Sequence, residues 1–427
     1  MRPSVPVWPP DAATFRRDRA ELDKALRSVE PAMGWYGERT TPYPLTLGSR
    51  DVADLDRLYR VIAAGIQRVI EEYGNDDRLR RVLSLPEPLV ELFRRTDGHP
   101  YRTGALRPDF LLDLEGVVRV CEVNARFPTN GFLCSYYTND VIEGLGYLAG
   151  ASTQPVPGLR QALDLLASRF EPGPLVVLLD RQGGTEIFLL IDELRRRGID
   201  ARARRPDQLR VERGVIIDDR ERVTQFILEL ERDELLDLPL ELFDALVSCE
   251  RSFNDVRTLI LGHDKRMLAV LGDRSIMSDL LDPASVDVLS DHVIPTFHAG
   301  DPSIVGRLRA DAAGWVLKRN SSGRGIDLLV GGTCDPSIWR HAVEHEADDR
   351  AAQAFVEQLA VSMPVLTEGG ELVEQSVNVV GLLPGFDGVP FGPGLFRASA
   401  ESVINVAGDR GILVPTMIAS DPPDPAP

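Results

Sequence analysis

Residues 107–132 read Arg-Pro-Asp-Phe-Leu-Leu-Asp-Leu-Glu-Gly-Val-Val-Arg-Val-Cys-Glu-Val-Asn-Ala-Arg-Phe-Pro-Thr-Asn-Gly-Phe, and this stretch decides the fold. It predicts two apolar strands joined at Glu115-Gly116. If that pair forms a two-residue hairpin loop, Asp109 faces Glu122 across the strands. Directly opposed residues lie about 4.5–5.5 Å apart at Cβ. The spacing therefore predicts two acidic side chains next to each other on one hairpin face.

A second pair lies on the same face of the predicted hairpin. Arg107 faces Asn124, because side chains alternate between the two faces of a strand. The oxygens of Asp109, Glu122 and Asn124 suit Mg²⁺ better than zinc, and the adjacent arginine could hold a phosphate or a carboxylate. An exposed polar hairpin face with one salt bridge fits the spacing equally well.

The composition is that of an ordinary globular protein, with 43% hydrophobic and 27% charged residues in a chain of 427. At about 100–200 residues per domain, this length predicts two to four domains. No apolar run reaches the roughly 20 residues that span a bilayer, and the N-terminus lacks the apolar segment of a signal peptide. The formal net charge of −18 argues against broad binding to nucleic acid or anionic lipid, because both require a basic surface.

The cysteine pattern predicts neither a zinc site nor a disulfide framework. Cys121, Cys134, Cys249 and Cys334 are scattered without CxxC spacing, which fits a reducing, cytoplasmic location. Cys121 falls on the opposite hairpin face from Glu122, so we expect it to be a core residue.

The middle of the chain predicts a small open α/β domain over residues 171–260. The apolar run Pro174–Leu179 is typical of a buried parallel strand. The turn Asp180–Thr185 carries glycines but lacks the G-x-G-x-x-G spacing, so a structural domain is favoured over an NAD(P) site. Periodicity elsewhere predicts helices 13–30, 51–73, 139–150, 159–170, 184–197, 263–281 and 335–348, and strands 199–203, 214–218, 315–319, 326–330, 354–361, 372–380 and 403–406.

Two lysines lie beside features that suit a phosphate. Lys318 ends an apolar strand and precedes Asn320-Ser-Ser-Gly-Arg-Gly325, whose glycines allow backbone N–H groups to approach phosphate oxygens. This is not a Walker A loop, and a solvated hairpin tip fits the pattern as well. Lys265 lies at the start of the predicted helix 263–281, where the macrodipole does not favour a cation, so its position is a weak indication of function.

Two later segments add candidate ligands. Residues 355–361 mix apolar residues with Glu357 and Gln358, as a hinge strand that binds adenine through its backbone would, although many edge strands share the pattern. Arg397 lies on an apolar strand. Because buried arginine is uncommon without a partner, Arg397 is a candidate second anion ligand.

The motifs taken in order resemble the circularly permuted branch of the ATP-grasp superfamily, typified by glutathionylspermidine synthase. In that branch an Arg-x-Asp pair precedes Glu-x-Asn, as Arg107-Pro-Asp109 precedes Glu122-Val-Asn124, and Pro-Thr follows, as Pro128-Thr129 does here. The lysines then come after these motifs, whereas most ATP-grasp enzymes have them first.

The resemblance extends from about residue 100 to residue 415. Asp264–Leu271 matches the Asp-Lys-x-x-Leu-x-x-Leu segment that carries the first ATP lysine, and Gly394–Arg397 with Asn405 resembles a late Gly-x-x-Arg…Asn stretch. The chain departs from the pattern in the short loop after Lys318, which carries Arg324. It also lacks the Cys-His amidase segment of the bifunctional members, so ligase activity alone is implied.

The resemblance implies a permuted ATP-grasp fold of the α+β or α/β class with an open α/β pre-ATP-grasp domain. The implied units are residues 1–158 with the N-terminal helices and the hairpin, 159–262 with the small α/β domain, 263–348 with the lobe that covers ATP, 349–420 with the rest of the core, and 421–427 as a disordered tail.

The implied activity is an ADP-forming carboxylate–amine ligase that works through an acylphosphate on small molecules such as amino acids or peptides. The cofactors would be ATP and two Mg²⁺ ions. An inactive ATP-binding partner or sensor is the alternative. The implied site residues are Asp109, Glu122 and Asn124 for the metal, Arg107 and Arg397 for the transferred phosphoryl group, and Lys265, Lys318, Ser321, Ser322, Gly323, Gly325, Glu357, Gln358 and Leu359 for ATP.

Overall fold

The computed structural model describes residues 1–127, 129, 131–146, 148, 153–181, 186–320, 327–367, 369–401, 403–404, 406 and 411–419. Within these ranges the chain forms a mixed α/β structure with several sheets. Some features predicted above lie outside the described residues, namely Pro128, Ser321, Ser322, Gly323, Arg324, Gly325, Asn405 and the tail 421–427.

The α-helices of the described residues lie between Ala12 and His345. The α-helices are α1 Ala12–Val29, α2 Gly34–Gly37, α3 Ser49–Glu72, α4 Asp77–Val82, α5 Glu87–Arg94, α6 Phe132–Leu145, α7 Pro157–Ala167, α8 Ile187–Arg196, α9 Arg232–Leu236, α10 Leu240–Val247, α11 Met267–Leu271, α12 Arg274–Leu280, α13 Pro283–His292, α14 Pro302–Ala310 and α15 Pro336–His345. A π-helical turn spans Thr258–Gly262.

Most of the strands are short, and the longest, Leu372–Leu382, has 11 residues. They are β1 Leu45–Leu47, β2 Ala105–Leu112, β3 Val118–Asn124, β4 Thr153–Pro155, β5 Pro174–Leu179, β6 Asp200–Arg204, β7 Leu209–Glu212, β8 Val215–Asp218, β9 Glu221–Val223, β10 Gln225–Glu229, β11 Arg251–Phe253, β12 Thr296–His298, β13 Trp315–Arg319, β14 Leu329–Val330, β15 Arg350–Ala354, β16 Val361–Leu366, β17 Leu372–Leu382, β18 Gly385–Phe386, β19 Val389–Pro390, β20 Phe396–Ser399, β21 Ile412–Val414 and β22 Thr416–Ala419.

The central sheet is antiparallel and contains the predicted hairpin. Its strands run in the order β19-β18-β2-β17-β20-β21, with β3 paired to β2 and β16 paired to β17. Hairpin strands β2 and β3 therefore lie in the same sheet as β20, which carries Arg397. This sheet joins early and late parts of the chain.

The cross-strand pairs predicted from the hairpin are confirmed, although the predicted loop is wrong. Asp109 pairs with Glu122 and Arg107 with Asn124. The pairing from Phe110 to Leu112, however, follows a different register, because the loop between Asp113 and Val117 has three residues and Gly116 adopts a left-handed φ of 79°. A β-bulge that leaves Cys121 without a partner on β2 restores the predicted pairs beyond it.

A parallel sheet with the order β11-β10-β5-β6 confirms the predicted α/β pattern in the middle of the chain. Strand β5 is buried on both faces, since Leu175 and Val177 belong to one core cluster and Val176 and Leu178 to another. The predicted strand 214–218 does form, but not in this sheet. It pairs as β8 with β7 and β9 because the turn at Arg213-Gly214 has positive φ at both residues and folds the chain back locally.

A small antiparallel sheet, with the order β12-β15-β13-β14, carries Lys318 near the end of β13. Its core of Trp315, Leu317 and Trp339 forms a third, separate cluster. The predicted strand 354–361 is wrong. Strand β15 ends at Ala354, and the chain then crosses to the central sheet, where β16 begins at Val361.

Other predicted boundaries also differ from the structure. The helix predicted at 139–150 begins earlier, at Phe132, and stops before Gly146, whose φ of 73° ends it. Of the predicted strand 403–406, the described positions 403, 404 and 406 form no strand. Among the described residues, no helix is long and apolar enough to cross a membrane.

The predicted continuous helix 263–281 is wrong, and its break positions Lys265. The Lys265 N–H donates to the Asn320 carbonyl at 3.0 Å, so it does not continue a helical ladder. Helix α11 starts only at Met267, and Asp273 caps a new helix, α12, by accepting the Ser275 N–H at 2.8 Å. Lys265 therefore lies in a turn tied to the end of β13.

Candidate active site

A cavity of about 850 Å³ lies between the hairpin and the small antiparallel sheet. Asp109 and Glu122 of the hairpin line it, together with Lys318 and Gln353 of the small sheet and Arg397 of the central sheet. The cavity thus brings together side chains from distant parts of the sequence.

Asp109 is held by two arginines at the floor of this cavity. Arg107 donates from Nε to Asp109 Oδ1 at 2.8 Å and from Nη2 to Oδ2 at 3.1 Å, and Arg397 also contacts Oδ2. Asp109 is only 1% exposed. The sequence suggested a partner for Arg397, and the structure identifies it as Asp109.

Glu122, beside Asp109, is in contact with Lys265. Its carboxylate accepts a hydrogen bond from Lys265 Nζ, and Lys265 is only 6% exposed. Burial alone would raise the pKa of Glu122, but Lys265, Lys318 and Arg397 more than offset it and lower that pKa well below its usual range. Glu122 is therefore ionised at neutral pH.

Lys318 connects the small sheet to the hairpin. Its Nζ donates to the Cys121 carbonyl at 2.9 Å and to Gln353 Oε1 at 2.8 Å. The Cys121 carbonyl belongs to the bulged residue, which has no cross-strand partner on β2. The bulged residue, which restores the pairing of Asp109 with Glu122, therefore also supplies the carbonyl that accepts the hydrogen bond from Lys318.

The bulge changes the surroundings of Cys121. Contrary to the prediction of a core position away from Glu122, Cys121 is half-buried and lines the cavity with it. Burial raises the pKa of its thiol to about 11, so the thiol is protonated at neutral pH. We assign no chemical role to this side chain.

The charges gathered at the hairpin do not balance. Four cations, Arg107, Lys265, Lys318 and Arg397, surround the carboxylates of Asp109 and Glu122. This local excess of positive charge favours an anionic ligand at the hairpin, because the low local dielectric strengthens the attraction. Elsewhere the cavity is also lined by carboxylates, among them those of Glu186, Glu231 and Asp264.

A buried ion-pair network supports the segment around Lys265. Asp264 accepts Arg266 Nε at 2.9 Å and Nη2 at 2.8 Å, and Arg232 Nη1 at 3.0 Å. Next to it, burial and the nearby charge of Lys265 lower the pKa of His263 to about 3, so this cavity residue is neutral. The network fixes the backbone on both sides of Lys265.

Lysine usage is a further sequence signal for this site. The chain has 48 lysines and arginines, and only Lys24, Lys265 and Lys318 are lysines. Lys24 is exposed on α1, whereas the other two approach the hairpin from separate parts of the chain. Because lysine is a compact point charge and arginine a planar fork, two lysines at one site in such a chain indicate a specific requirement.

The structure does not bring all the predicted ATP residues to the cavity. Glu357 is exposed, and the Leu359 N–H donates to the Leu112 carbonyl at 2.9 Å, so neither lines it. Gln358 does line it, as do Phe355 and Val356. A hinge for adenine, if present, is therefore centred one or two residues before the predicted one.

The donor set fits magnesium that is bound together with a phosphate ligand. Asp109, Glu122 and Asn124 place oxygens on one hairpin face. In the structure the Asp109 oxygens accept from Arg107 and Arg397, and Glu122 accepts from Lys265, so a bound ion would replace some of these contacts. Within the described ranges, no cluster of three or more His, Cys, Asp or Glu forms a metal cage. Mg²⁺ is typically held by one or two carboxylates, with phosphates and water completing its shell, so a full cage is not required.

Sequence reasoning missed Glu186, a buried carboxylate at another part of the cavity. It lies just before α8 and is brought to the site by the packing of α8 against α6 and Tyr36. No motif near it indicates a functional site. Only the tertiary structure places it there.

Comparisons with known proteins agree with the geometry. Residues 58–261 match the family model described as the AnkG N-terminal domain, a range that includes the hairpin and the parallel sheet. Over 430 residues, the chain is 23% identical to a protein of Aspergillus thermomutatus named "ATP-grasp enzyme ankG", with 86% of each protein covered. The chain is thus similar over most of its length to a protein named as an ATP-grasp enzyme.

Proposed function

We propose that the protein is a carboxylate–amine ligase that forms an amide or peptide bond and releases ADP and phosphate. The observation that carries this proposal is the convergence of Lys265, Lys318, Arg107 and Arg397 on the paired carboxylates of the hairpin. The similarity to a protein named as an ATP-grasp enzyme supports it.

The nucleotide would lie between the two sheets. Lys265 and Lys318 would neutralise its phosphates, and the apolar side chains Val316, Val330 and Val356 would contact the adenine ring. Asp109, Glu122 and Asn124 would hold Mg²⁺, which neutralises phosphate charge and polarises the phosphoryl oxygens when bound.

The chemistry would proceed in two displacements. The substrate carboxylate attacks the γ-phosphorus, the bond to the β-phosphate oxygen breaks, and ADP leaves with the electron pair. The amine then attacks the acyl carbon of the acylphosphate, and phosphate leaves. Arg107 and Arg397 would stabilise the charge on the transferred phosphoryl group, since catalysis of this kind depends mainly on positioning and electrostatics.

We also propose the permuted order and the unit boundaries implied by the resemblance, with residues 1–158, 159–262, 263–348 and 349–420 as successive parts. The chain order of the site supports this proposal. The hairpin residues come first, both lysines follow, and Arg397 comes last on a strand of the same sheet as the hairpin.

The direct test is an assay of ADP and phosphate release with a panel of amino acids and small peptides in the presence of Mg²⁺. We expect at least one pair of substrates to give ADP and phosphate, and EDTA to stop the reaction. Release of AMP and pyrophosphate would contradict the mechanism. ATP binding with no turnover on any pair would favour the inactive binding protein.

Replacing Lys318 by Met should raise the KM for ATP by about ten- to a hundredfold. A hydrogen bond to a charged group contributes about 1.5–3 kcal/mol, and each 1.4 kcal/mol is a factor of ten. The matched control is Lys24→Met, which removes the exposed lysine of α1 and should leave the KM unchanged. Initial rates at varied ATP concentration measure both, and equal KM values for the two variants would remove Lys318 from the nucleotide site.

A further inference from the structure

Glu186 is a buried carboxylate of the cavity that the proposed phosphate chemistry does not use. It is 4% exposed and lies immediately before α8. Its Oε2 accepts the Leu133 N–H at 3.2 Å, and its Oε1 accepts the Tyr36 hydroxyl at 3.4 Å. Both donors are neutral. Among the described residues, no lysine or arginine forms an ion pair with Glu186.

Glu186 lies close to the arginine that we assign to the transferred phosphoryl group. The charge of Arg107 acts on Glu186, although burial has the larger effect and raises the pKa of this carboxyl. Gly131, at the start of α6, lies between the two regions, since a Cβ there would be 3.6 Å from Arg107 Nη1. The cavity therefore continues past Arg107 to a second, acidic end.

A buried carboxylate with only neutral donors gains most from a cationic ligand, because an ion pair offsets the cost of burial. An amine substrate arrives as an ammonium ion at neutral pH. We propose that Glu186 binds this ammonium group and thereby places the amine beside the acyl group that Arg107 helps to activate. The assignment rests on the proposed function and adds the substrate class, an amine that is protonated in solution.

The proton balance of the second displacement agrees with this role. The ammonium transfers one proton to Glu186 and becomes a free amine. Its nitrogen forms the bond to the acyl carbon, and the bond from that carbon to the phosphate oxygen breaks. One of the two N–H protons leaves with the phosphate, and the other stays on the amide nitrogen. Glu186 then returns its proton to solvent.

The test compares a cationic amine with hydroxylamine, which is largely uncharged at neutral pH and traps acylphosphates as hydroxamates. Glu186→Gln keeps one amide oxygen to accept the Leu133 N–H, and its NH2 group can donate to the Tyr36 hydroxyl oxygen, but it loses the charge. We expect its KM for the cationic amine to rise about tenfold or more, since the lost contact is charge-assisted, and hydroxamate formation to stay at the wild-type rate.

The matched control is Glu193→Gln in α8, the helix that Glu186 precedes. Glu193 is also buried and also accepts a tyrosine hydroxyl, that of Tyr137, but it does not line the cavity. This variant should keep the wild-type KM for both nucleophiles. An unchanged KM in Glu186→Gln, or an equal loss with hydroxylamine, would overturn the assignment and leave Glu186 as a cap of α6.

A measurement on the unmodified protein covers the case in which Glu186→Gln does not fold. The N,N-dimethylated form of the active amine keeps its charge but cannot give the normal amide, whereas the N-acetylated form is neutral. We expect only the dimethylated form to compete with hydroxylamine, and equal inhibition by both would overturn the assignment. If the wild-type protein forms neither ADP nor hydroxamate with any carboxylate, the proposed function itself fails.

Discussion

Glu122→Gln should lower kcat for ADP formation by about a thousandfold while the protein remains folded. The glutamine cannot supply the carboxylate that the proposed Mg²⁺ site requires. A metal ion contributes several kcal/mol of charge stabilisation in the transition state, and each 1.36 kcal/mol is a factor of ten in rate. The amide oxygen still accepts the hydrogen bond from Lys265, so we expect the local packing to persist.

The hairpin offers a matched control for this variant. Glu115 lies exposed in the loop that joins β2 and β3, so Glu115→Gln makes the same chemical change in the same hairpin away from the cavity. We expect wild-type kcat and melting temperature for Glu115→Gln. Glu122→Gln should have a lower melting temperature, because it leaves the buried Lys265 without its ionised partner, but an unchanged circular dichroism spectrum at the assay temperature. Wild-type kcat in Glu122→Gln would show that this residue does not hold the metal.

The pairing of Asp109 with Glu122 could be predicted from the sequence, although the predicted loop between the two strands was wrong. The loop is one residue longer than predicted, and the bulge at Cys121 compensates for it. Alternation of apolar and polar residues specifies which face is buried, and a slip of one residue would reverse it. The alternation therefore predicts the pairs Asp109–Glu122 and Arg107–Asn124. Nothing in the sequence around Cys121, however, indicates a bulge.

The position of Lys265 could be predicted only in part. Its neighbours Leu268 and Leu271 follow helical spacing, so the pattern predicts one helix through it. The break depends on a backbone hydrogen bond to Asn320, far along the chain. Periodicity carries no information about such a contact, and the same limit explains why Glu186 was missed.

Replacing the buried Asp264 by Asn should reduce the free energy of unfolding by about 3–5 kcal/mol. The side chain is fully buried and pairs with Arg266 and Arg232, which are themselves largely buried. Removing one partner of a buried ion pair leaves uncompensated charge, and this is the source of the expected loss. Urea denaturation at pH 7 measures it, and the KM for ATP should rise too because Lys265 is the next residue.

An exposed ion pair provides the control that distinguishes the effect of burial from the effect of pairing with arginine. Asp244 also binds an arginine through both carboxylate oxygens, with Arg95 Nη1 at 3.0 and 2.9 Å, but both side chains are substantially exposed. We therefore expect Asp244→Asn to reduce the free energy of unfolding by no more than about 1 kcal/mol. If both variants lost the same free energy of unfolding, the network around Asp264 would contribute no more to stability than a surface ion pair.

The pH dependence of the stability difference between wild type and Asp264→Asn shows which form of the Asp264 carboxyl, ionised or protonated, the folded protein favours. Burial would raise the pKa of Asp264, but Arg266 and Arg232 lower it below its ordinary value of 3.8. The ionised carboxylate therefore contributes its full stability above pH 3.8 and loses it as the pH falls toward the lowered pKa. Asparagine does not titrate. The difference in free energy of unfolding between wild type and variant should therefore be constant from pH 7 to pH 5 and become smaller below pH 3.8. If this difference in free energy of unfolding instead grew as the pH fell, the folded protein would hold Asp264 in its protonated form.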